Sequence, residues 1–403
     1  SLGLAAASGV GPRLGLGARE AAAQDGATGL GETSLTVYVP ETGHSVAGLF
    51  LDYWRATGAS LVFGNPLSEP FETDDGIASQ VFERGVFQFR TEYLWSVDPY
   101  VRLLPAARTL LAGDAGAILP TGRRAGGGGN RQAAIWGPLD PKSVDPLDDS
   151  RLYVKDTGHA ISGEFLQWYR AHEGDFYLGN PLSEPFPEGN DLVQWFECGK
   201  LVQTADGVAP APLGAQLAQR LGVPTARVPQ NDLPAFAETL FWKAPSPFPL
   251  TDPKATGPKR ILVDITNQAM QAFQGDSIAM ESLVSTGIPP NKTEIGRFRV
   301  RIKYPVQDMK GFTNSTGEVV AAGDSGAPAG GTPYDVPAVP NVMYVDLDAE
   351  ALHGAYWHHN FGHLMSHGCI NLPLDVAAFL YGWAPLGTPV TTFLQPGTSY
   401  PTT

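Results

Sequence analysis

Between Arg297 and Tyr304 the chain alternates strictly, with Phe298, Val300, Ile302 and Tyr304 set against Arg297, Arg299, Arg301 and Lys303. A period of two predicts a half-buried strand whose cations form a solvated face, with attraction for carboxylates as the other use of that row. The stretches Ile261 to Thr266 and Ala269 to Phe273, joined by Asn267-Gln268, predict a hairpin. Glu281 to Ser285 and Pro389 to Phe393 read as further strands. Pro373 to Tyr381 reads as a short helix stopped by Gly382 and Pro385.

The first half of the chain carries another pattern. Val46 to Trp54 and Ile161 to Tyr169 place apolar residues at helical spacing, predicting one short helix each. Tyr-Val-x-x-Thr-Gly-His precedes each run, at Tyr38 to His44 and Tyr153 to His159, and Gly-Asn-Pro-Leu-Ser-Glu-Pro-Phe follows, at Gly64 to Phe71 and Gly179 to Phe186. Gln80 to Phe89 then alternates like a strand pair, and apolar tails close the units at Val101 to Leu104 and Leu213 to Leu221. Residues 38–89 and 153–203 are therefore copies of one small α+β module. They loosely resemble the Gly-x-Pro-rich wall-associated repeats of secreted bacterial proteins. The repeated His44 and His159 lack a nearby second ligand and read as residues capping a helix start rather than as metal ligands. Tyr53, Trp54, Trp168 and Tyr169 could stack on sugars, but their spacing reads as core.

The predicted order is a tail over 1–35, a first module over 36–112, a Gly/Pro-rich linker over 113–150 and a second module over 151–222. A Pro-rich linker over 223–258 and a β-rich module over 259–396 follow. Residues 126–129 are all glycine but lack the Gly-Lys-Ser/Thr ending of a phosphate loop. The opening Ser1 to Ala7 and the later Ala21 to Gln24 read as the remnant of an export signal or as an Ala/Gly-rich tail, and the numbering is expected to begin inside a longer chain. A formal net charge of −14 without a concentrated basic patch argues against nucleic acid or an anionic membrane and suits amine-bearing substrates. Forty-seven glycines and 35 prolines favour turn-rich modules over an all-helical architecture. The two cysteines, Cys198 and Cys369, lie in different modules and make no disulfide framework. Cys198 reads as an incidental small side chain.

Cys369 stands in Ser366-His367-Gly368-Cys369-Ile370-Asn371, and His353-Gly354 stands twelve residues before Ser366. Thiol catalysis needs a thiolate, a base and backbone donors facing the attacked carbonyl, and these residues can supply all three. The segment resembles the active-site signature of the L,D-transpeptidases, the family with the YkuD-type catalytic domain. The likeness extends over roughly Arg260 to Leu394, including Ser285-Thr-Gly287 and Thr293 to Phe298, and Tyr334-Asp-Val-Pro337 resembles the family's lid. His353 is preferred as base over His358, His359 and His363 because it alone is followed by Gly-Ala-x-Trp.

The resemblance implies a mainly β, β-sandwich-like catalytic domain preceded by the two α+β repeats. It implies that Cys369 attacks the third residue of a tetrapeptide stem and releases the terminal D-alanine. An amine then makes a 3→3 cross-link, or water gives carboxypeptidase chemistry. His353 would take the thiol proton, oriented by the Gly354 carbonyl. The amides of Gly368 and Cys369, with the Tyr334 hydroxyl, would hold the oxyanion. Ser366 and His367 would shape the turn, and Tyr334, Tyr344, Trp357 and Asn371 would contact substrate. No cofactor or metal is expected; the partners would be stem peptides, wall polymer at the repeats and carbapenem-type inhibitors, in an extracytoplasmic, secreted setting. The repeats are expected to be a separable wall-targeting unit or a spacer. The alternatives are a zinc site, because His359, His363 and His367 recur every four residues as on one helical face, and a wall-binding protein with a degenerate catalytic module.

Overall fold

The structure, a computed structural model, describes residues 35–93, 100–111, 135–141, 148–241, 256–314, 319–320 and 332–402. The expected signal remnant, the glycine run at 126–129 and the Pro-rich stretch over 242–255 lie outside the described residues.

In the first repeat a hairpin of β1 (Thr36–Val39) and β2 (His44–Ala47) leads into α1 (Gly48–Ala56) and the single turn α2 (Ser60–Phe63). An antiparallel sheet follows, built from β3 (Phe71–Glu72), β4 (Ala78–Phe82), β5 (Gly85–Phe89) and β6 (Val101–Leu103), and α3 (Ala106–Leu111) comes after it. The second repeat repeats the order with β7 (Arg151–Val154), β8 (His159–Ser162), α4 (Gly163–Ala171), α5 (Gly174–Tyr177) and a sheet of β9 (Phe186–Glu188), β10 (Asp191–Trp195), β11 (Lys200–Thr204) and β12 (Gly207–Pro210). The apolar tail from Leu213 is α6 (Gly214–Leu221).

His44 and His159 are not helix caps, since each begins a strand. Each buried ring places Nδ1 3.3 Å from a carboxylate of the Ser-Glu-Pro turn, Glu69 and Glu184 respectively. The same carboxylates accept the backbone N–H of Ser45 and Ala160, so the repeated motif ties hairpin to turn. Tyr53, Trp54 and Tyr169 are buried core, as their spacing predicts.

The mainly β catalytic domain has two five-stranded sheets. One holds β13 (Lys259–Asp264), β14 (Ala269–Gln274), β15 (Ser277–Leu283), β16 (Gly296–Arg299) and β22 (Pro389–Phe393); the other holds β17 (Ile302–Thr313), β18 (Val319–Val320), β19 (Thr332–Tyr344), β20 (Ala351–Gly354) and β21 (Ile370–Leu372). Helix α7 (Leu374–Trp383) packs on β19 and β20. Its Val376, Leu380 and Trp383 share a core with Ile261 and Val263 of the first sheet and Leu352 and Ile370 of the second. Strands β13 and β14 alternate buried and half-buried residues, the signature of a sheet covered on one side.

The alternating run at 297–304 divides. Its start pairs as β16 with β22, the chain turns at Val300 and Arg301, and the rest joins the other sheet as β17 beside β19. Its cations do not form a solvated row. Arg299 bonds Glu173 of the second repeat at 2.7 Å, Arg301 is buried, and Lys303 Nζ donates to the Tyr381 and Ala384 carbonyls. The strand crosses a corner where the second repeat and the end of α7 close over it, which a period of two cannot foresee.

The Pro-rich chain after α6 lies on the first repeat. Val228 N–H donates to Gly43 O, Tyr38 N–H to Pro234 O and Phe236 N–H to Tyr38 O. Beyond it, Glu238 accepts from Arg55 of α1 at 3.1 Å and from Lys259 of β13 at 2.8 Å. Both cations are fully buried, so repeat, linker and catalytic domain meet in one charged knot rather than hanging from a free tether.

Candidate active site

Strands β20 and β21 run parallel, with His353 opposite Asn371 and Leu352 opposite Ile370. Partners in a parallel register point to the same face, and so do residues two apart on one strand. Cys369, immediately before β21, packs against the cluster that holds Ala351, two residues before His353 on β20. Strand pairing thus brings the thiol to the strand that carries the imidazole.

His353 is 1% exposed, and its Nδ1 lies 3.3 Å from the Gly354 carbonyl. A carbonyl can only accept, so Nδ1 carries the proton and Nε2 keeps a free lone pair. Burial pulls the imidazole down to about 4, opposed by the Gly354 hydrogen bond and aided by nearby His358. The ring is a neutral base at physiological pH. Cys369 is half-buried and free, and its thiol is pushed up to about 12 by burial, with Glu350 and Asp346 adding to the rise against a backbone hydrogen bond from Ala351. The resting pair is thiol and imidazole, not thiolate and imidazolium.

The turn before the thiol is clamped. Ser366 Oγ donates to the Cys369 carbonyl at 2.5 Å and accepts the Gly368 N–H at 3.2 Å. Thr293 Oγ1 donates to the Gly368 carbonyl and accepts the Gly287 N–H at 3.0 Å. Gly368 sits at φ +121°, and a Cβ there would lie 3.2 Å from a Glu350 oxygen, so only glycine suits the turn. This revises the expected oxyanion hole, because the Gly368 N–H is already committed to Ser366. The Cys369 amide and the Tyr334 hydroxyl are left for that role.

Tyr334 reaches the site from β19, its ring parallel to His367 at 6.0 Å. Burial raises its phenol, and a charge on Cys369 would raise it further. Across the pair of strands Tyr334 faces Gly311, where any Cβ would strike the phenol at 2.5 Å. Tyr344 does not line a groove. It is buried with Val339, Val342 and Ala351 behind Cys369, edge-on to Tyr304, and forms the wall of the site. Trp357 is 41% exposed with its ring 5.7 Å from His353, open to a bound molecule.

Two groups were not legible in the signature. One is the acidic turn of Asp346 and Glu350, where burial pushes the carboxyls up to about 6 and about 8. The other is His358, whose Nε2 lies 2.9 Å from the Asn371 carboxamide. Residues 355–369 are not helical, so His359, His363 and His367 share no helical face, and no cluster able to hold a metal occurs among the described residues. Cys198 is far from this constellation: its Sγ faces the Leu103 carbonyl at 3.6 Å, and burial pushes it up to about 12.

Residues 258–391 match the family model described as the L,D-transpeptidase catalytic domain, YkuD. The NMR structure of the catalytic domain from E. faecium L,D-transpeptidase is 31% identical over 34% of this chain and 96% of that one, with a TM-score of 0.27. The same domain acylated by ertapenem is 32% identical over 34% and 96%, with a TM-score of 0.28. An L,D-transpeptidase from Mycobacterium smegmatis is 18% identical over 52% of this chain and 75% of its own, with a TM-score of 0.28. No curated protein is significantly similar to the chain.

Proposed function

We propose that the chain, whose residues 258–391 match the L,D-transpeptidase catalytic domain of the YkuD family, builds 3→3 peptidoglycan cross-links through a thioester on Cys369. The observation that carries this reading is the pairing of the His353 strand with the strand that begins directly after Cys369, with the His353 tautomer set by Gly354.

Sγ attacks the carbonyl of the third residue of a tetrapeptide stem while its proton passes to His353 Nε2. A thiol held this high does not ionise at rest, so proton transfer accompanies formation of the S–C bond. The Cys369 amide and Tyr334 hydroxyl hold the oxyanion, in the manner that usually supplies the largest share of such catalysis. The C–N bond to the terminal D-alanine breaks, and the imidazolium returns its proton to the leaving amine. An amine on another stem then attacks the thioester, gives its proton to His353, and leaves an amide and the restored thiol. Water in that place releases a tripeptide acid, the carboxypeptidase outcome.

Carbapenems would acylate the same sulfur, as the ertapenem-acylated relative suggests. The substrate places the protein outside the cytoplasm, with the repeats against wall polymer. Muropeptide mass spectrometry after incubation with defined tetrapeptides tests the reading. Cross-linked dimers with loss of D-alanine are expected from the wild type and none from Cys369→Ala. Tripeptide alone would make it a carboxypeptidase, and unchanged tetrapeptide would overturn the assignment.

A further inference from the structure

His358 and Asn371 belong to a closed circuit of hydrogen bonds. Asn371 and Ser285 exchange both backbone bonds, at 2.8 and 3.0 Å. Ser285 Oγ donates to the Asn360 carbonyl at 3.1 Å, and Asn360 N–H donates to His358 Nδ1 at 3.2 Å. The ring closes where His358 Nε2 meets the Asn371 carboxamide at 2.9 Å.

The direction of the last bond follows from the others. A backbone N–H can only donate, so Nδ1 must be the bare nitrogen and a neutral His358 carries its proton on Nε2. That proton needs an acceptor. Nδ2 is the carboxamide atom set 2.9 Å from Nε2, an arrangement that leaves the Nε2 proton without an acceptor, so the network assigns the amide the other way round, with its oxygen toward the ring; the two ends of an amide are told apart by such a network. Asn371 is 2% exposed, so its orientation matters: a buried amide facing the wrong way leaves two polar groups unpartnered. With oxygen on His358, the NH2 is turned to the other side of the carboxamide, on the sheet face that holds His353.

We propose that His358 is a positioning residue that locks the Asn371 carboxamide so that its N–H donors serve the bound donor stem. This rests on the transpeptidase reading and deepens it. One end of the circuit is the loop that also presents Trp357, whose ring lies 6.2 Å from His358, and Phe361, whose ring lies 4.9 Å from it. Its other end is β21, which carries Asn371 and directly follows Cys369. Substrate contacts on the loop and the amide on the strand are thereby kept in register.

Two measurements test the proposal. Long-range 1H–15N NMR on the folded protein reads the His358 tautomer without reference to activity: the Nε2–H form is expected, and the Nδ1–H form would overturn the circuit. The second is a double-mutant cycle on acylation by a tetrapeptide donor, with folding checked by thermal unfolding. His358→Ala should slow acylation by roughly tenfold or more, the scale of one buried hydrogen bond. His358→Gln, which keeps a donor near the Nε2 position, should recover most of the loss. In an Asn371→Ala background the His358→Ala loss should vanish, because the residue acted through is gone. A loss that persists undiminished there, or a folded His358→Ala protein as fast as wild type, overturns the role. Failure of the wild type to cross-link would instead remove the functional reading, while the tautomer still decides the circuit.

Discussion

The Cys369 thiol lies 3.8 Å from the Ala349 carbonyl, and Ala349 is held at φ +69°. A non-glycine residue in that region costs about 1–2 kcal/mol. The turn is held by its ends, with Glu350 N–H on Asp346 Oδ1 at 2.8 Å and Val345 N–H on the Glu350 carbonyl at 3.0 Å. Among the described hydrogen bonds none joins the sulfur to His353. The resting thiol is therefore parked on a carbonyl beside two carboxyls, which keeps it protonated until a substrate engages it.

Glu350 should tune that protonation in one pH range only. Burial and then Asp346 push its carboxyl up to about 8, so it carries its charge above that pH and then holds the thiol up. Glu350→Gln should raise the iodoacetamide alkylation rate of Cys369 at about pH 9, by roughly tenfold at most for a shift of one pKa unit. At about pH 6 the rates should agree. An equal gain at both values would show that the effect is packing, not charge.

Covalent labelling should be confined to one cysteine. Intact mass is expected to show one carbapenem adduct on the wild type and on Cys198→Ala and none on Cys369→Ala. Cys198 is half-buried and its thiol is pushed up to about 12 by burial, so an adduct surviving the loss of Cys369 would contradict the assignment.

His353 should govern the acid side of catalysis well below the usual histidine range. The base form is present above about 4 and is lost as the pH falls through that value, whereas an exposed histidine would lose it near 6.5. Carbapenem acylation should stay level from about pH 7 to about pH 5. The linked stability has the same sign: the unfolded chain binds the proton below 6.5 while the folded ring refuses it until about 4, so stability falls across that window. An acid limb centred near 6.5 would contradict the assignment of buried His353 as the base.

The Arg55, Glu238 and Lys259 knot predicts that repeats and catalytic domain unfold together. Burial raises the Glu238 carboxyl, but Lys259 and Arg55 outweigh it and bring it to about 2. Glu238→Gln strands two buried cations, and breaking such a pair typically costs about 3–5 kcal/mol. Calorimetry should show one transition in the wild type and a lower one in the variant. Two separate transitions in the wild type would restore the separable arrangement expected from the linker's composition. Tyr53 of α1 packed against Gly387, where a Cβ would lie 2.8 Å away, adds to the same interface.

What the chain could reveal unaided was local in origin. Pro389 to Phe393, the hairpin around Asn267 and Gln268 and the start of the helix after Pro373 are set by short-range period and turn chemistry and stand where those rules put them, while the helix passes Gly382 and ends at Trp383, which is buried in the core. Cys369 and His353 were singled out because their segment resembles the family's signature, and the pairing of β20 with β21 sets the two stretches side by side. Contacts between distant segments were not. Nothing in the alternation of Arg297 to Lys303 foretells that Glu173 would neutralise Arg299, and no spacing distinguishes His358 from His359 or His363. The choice comes from which ring nitrogen meets Asn360 and which meets Asn371, eleven residues farther along. Such choices are made by burial: a polar group taken out of water must find a partner, and only the folded chain decides which partner is within reach.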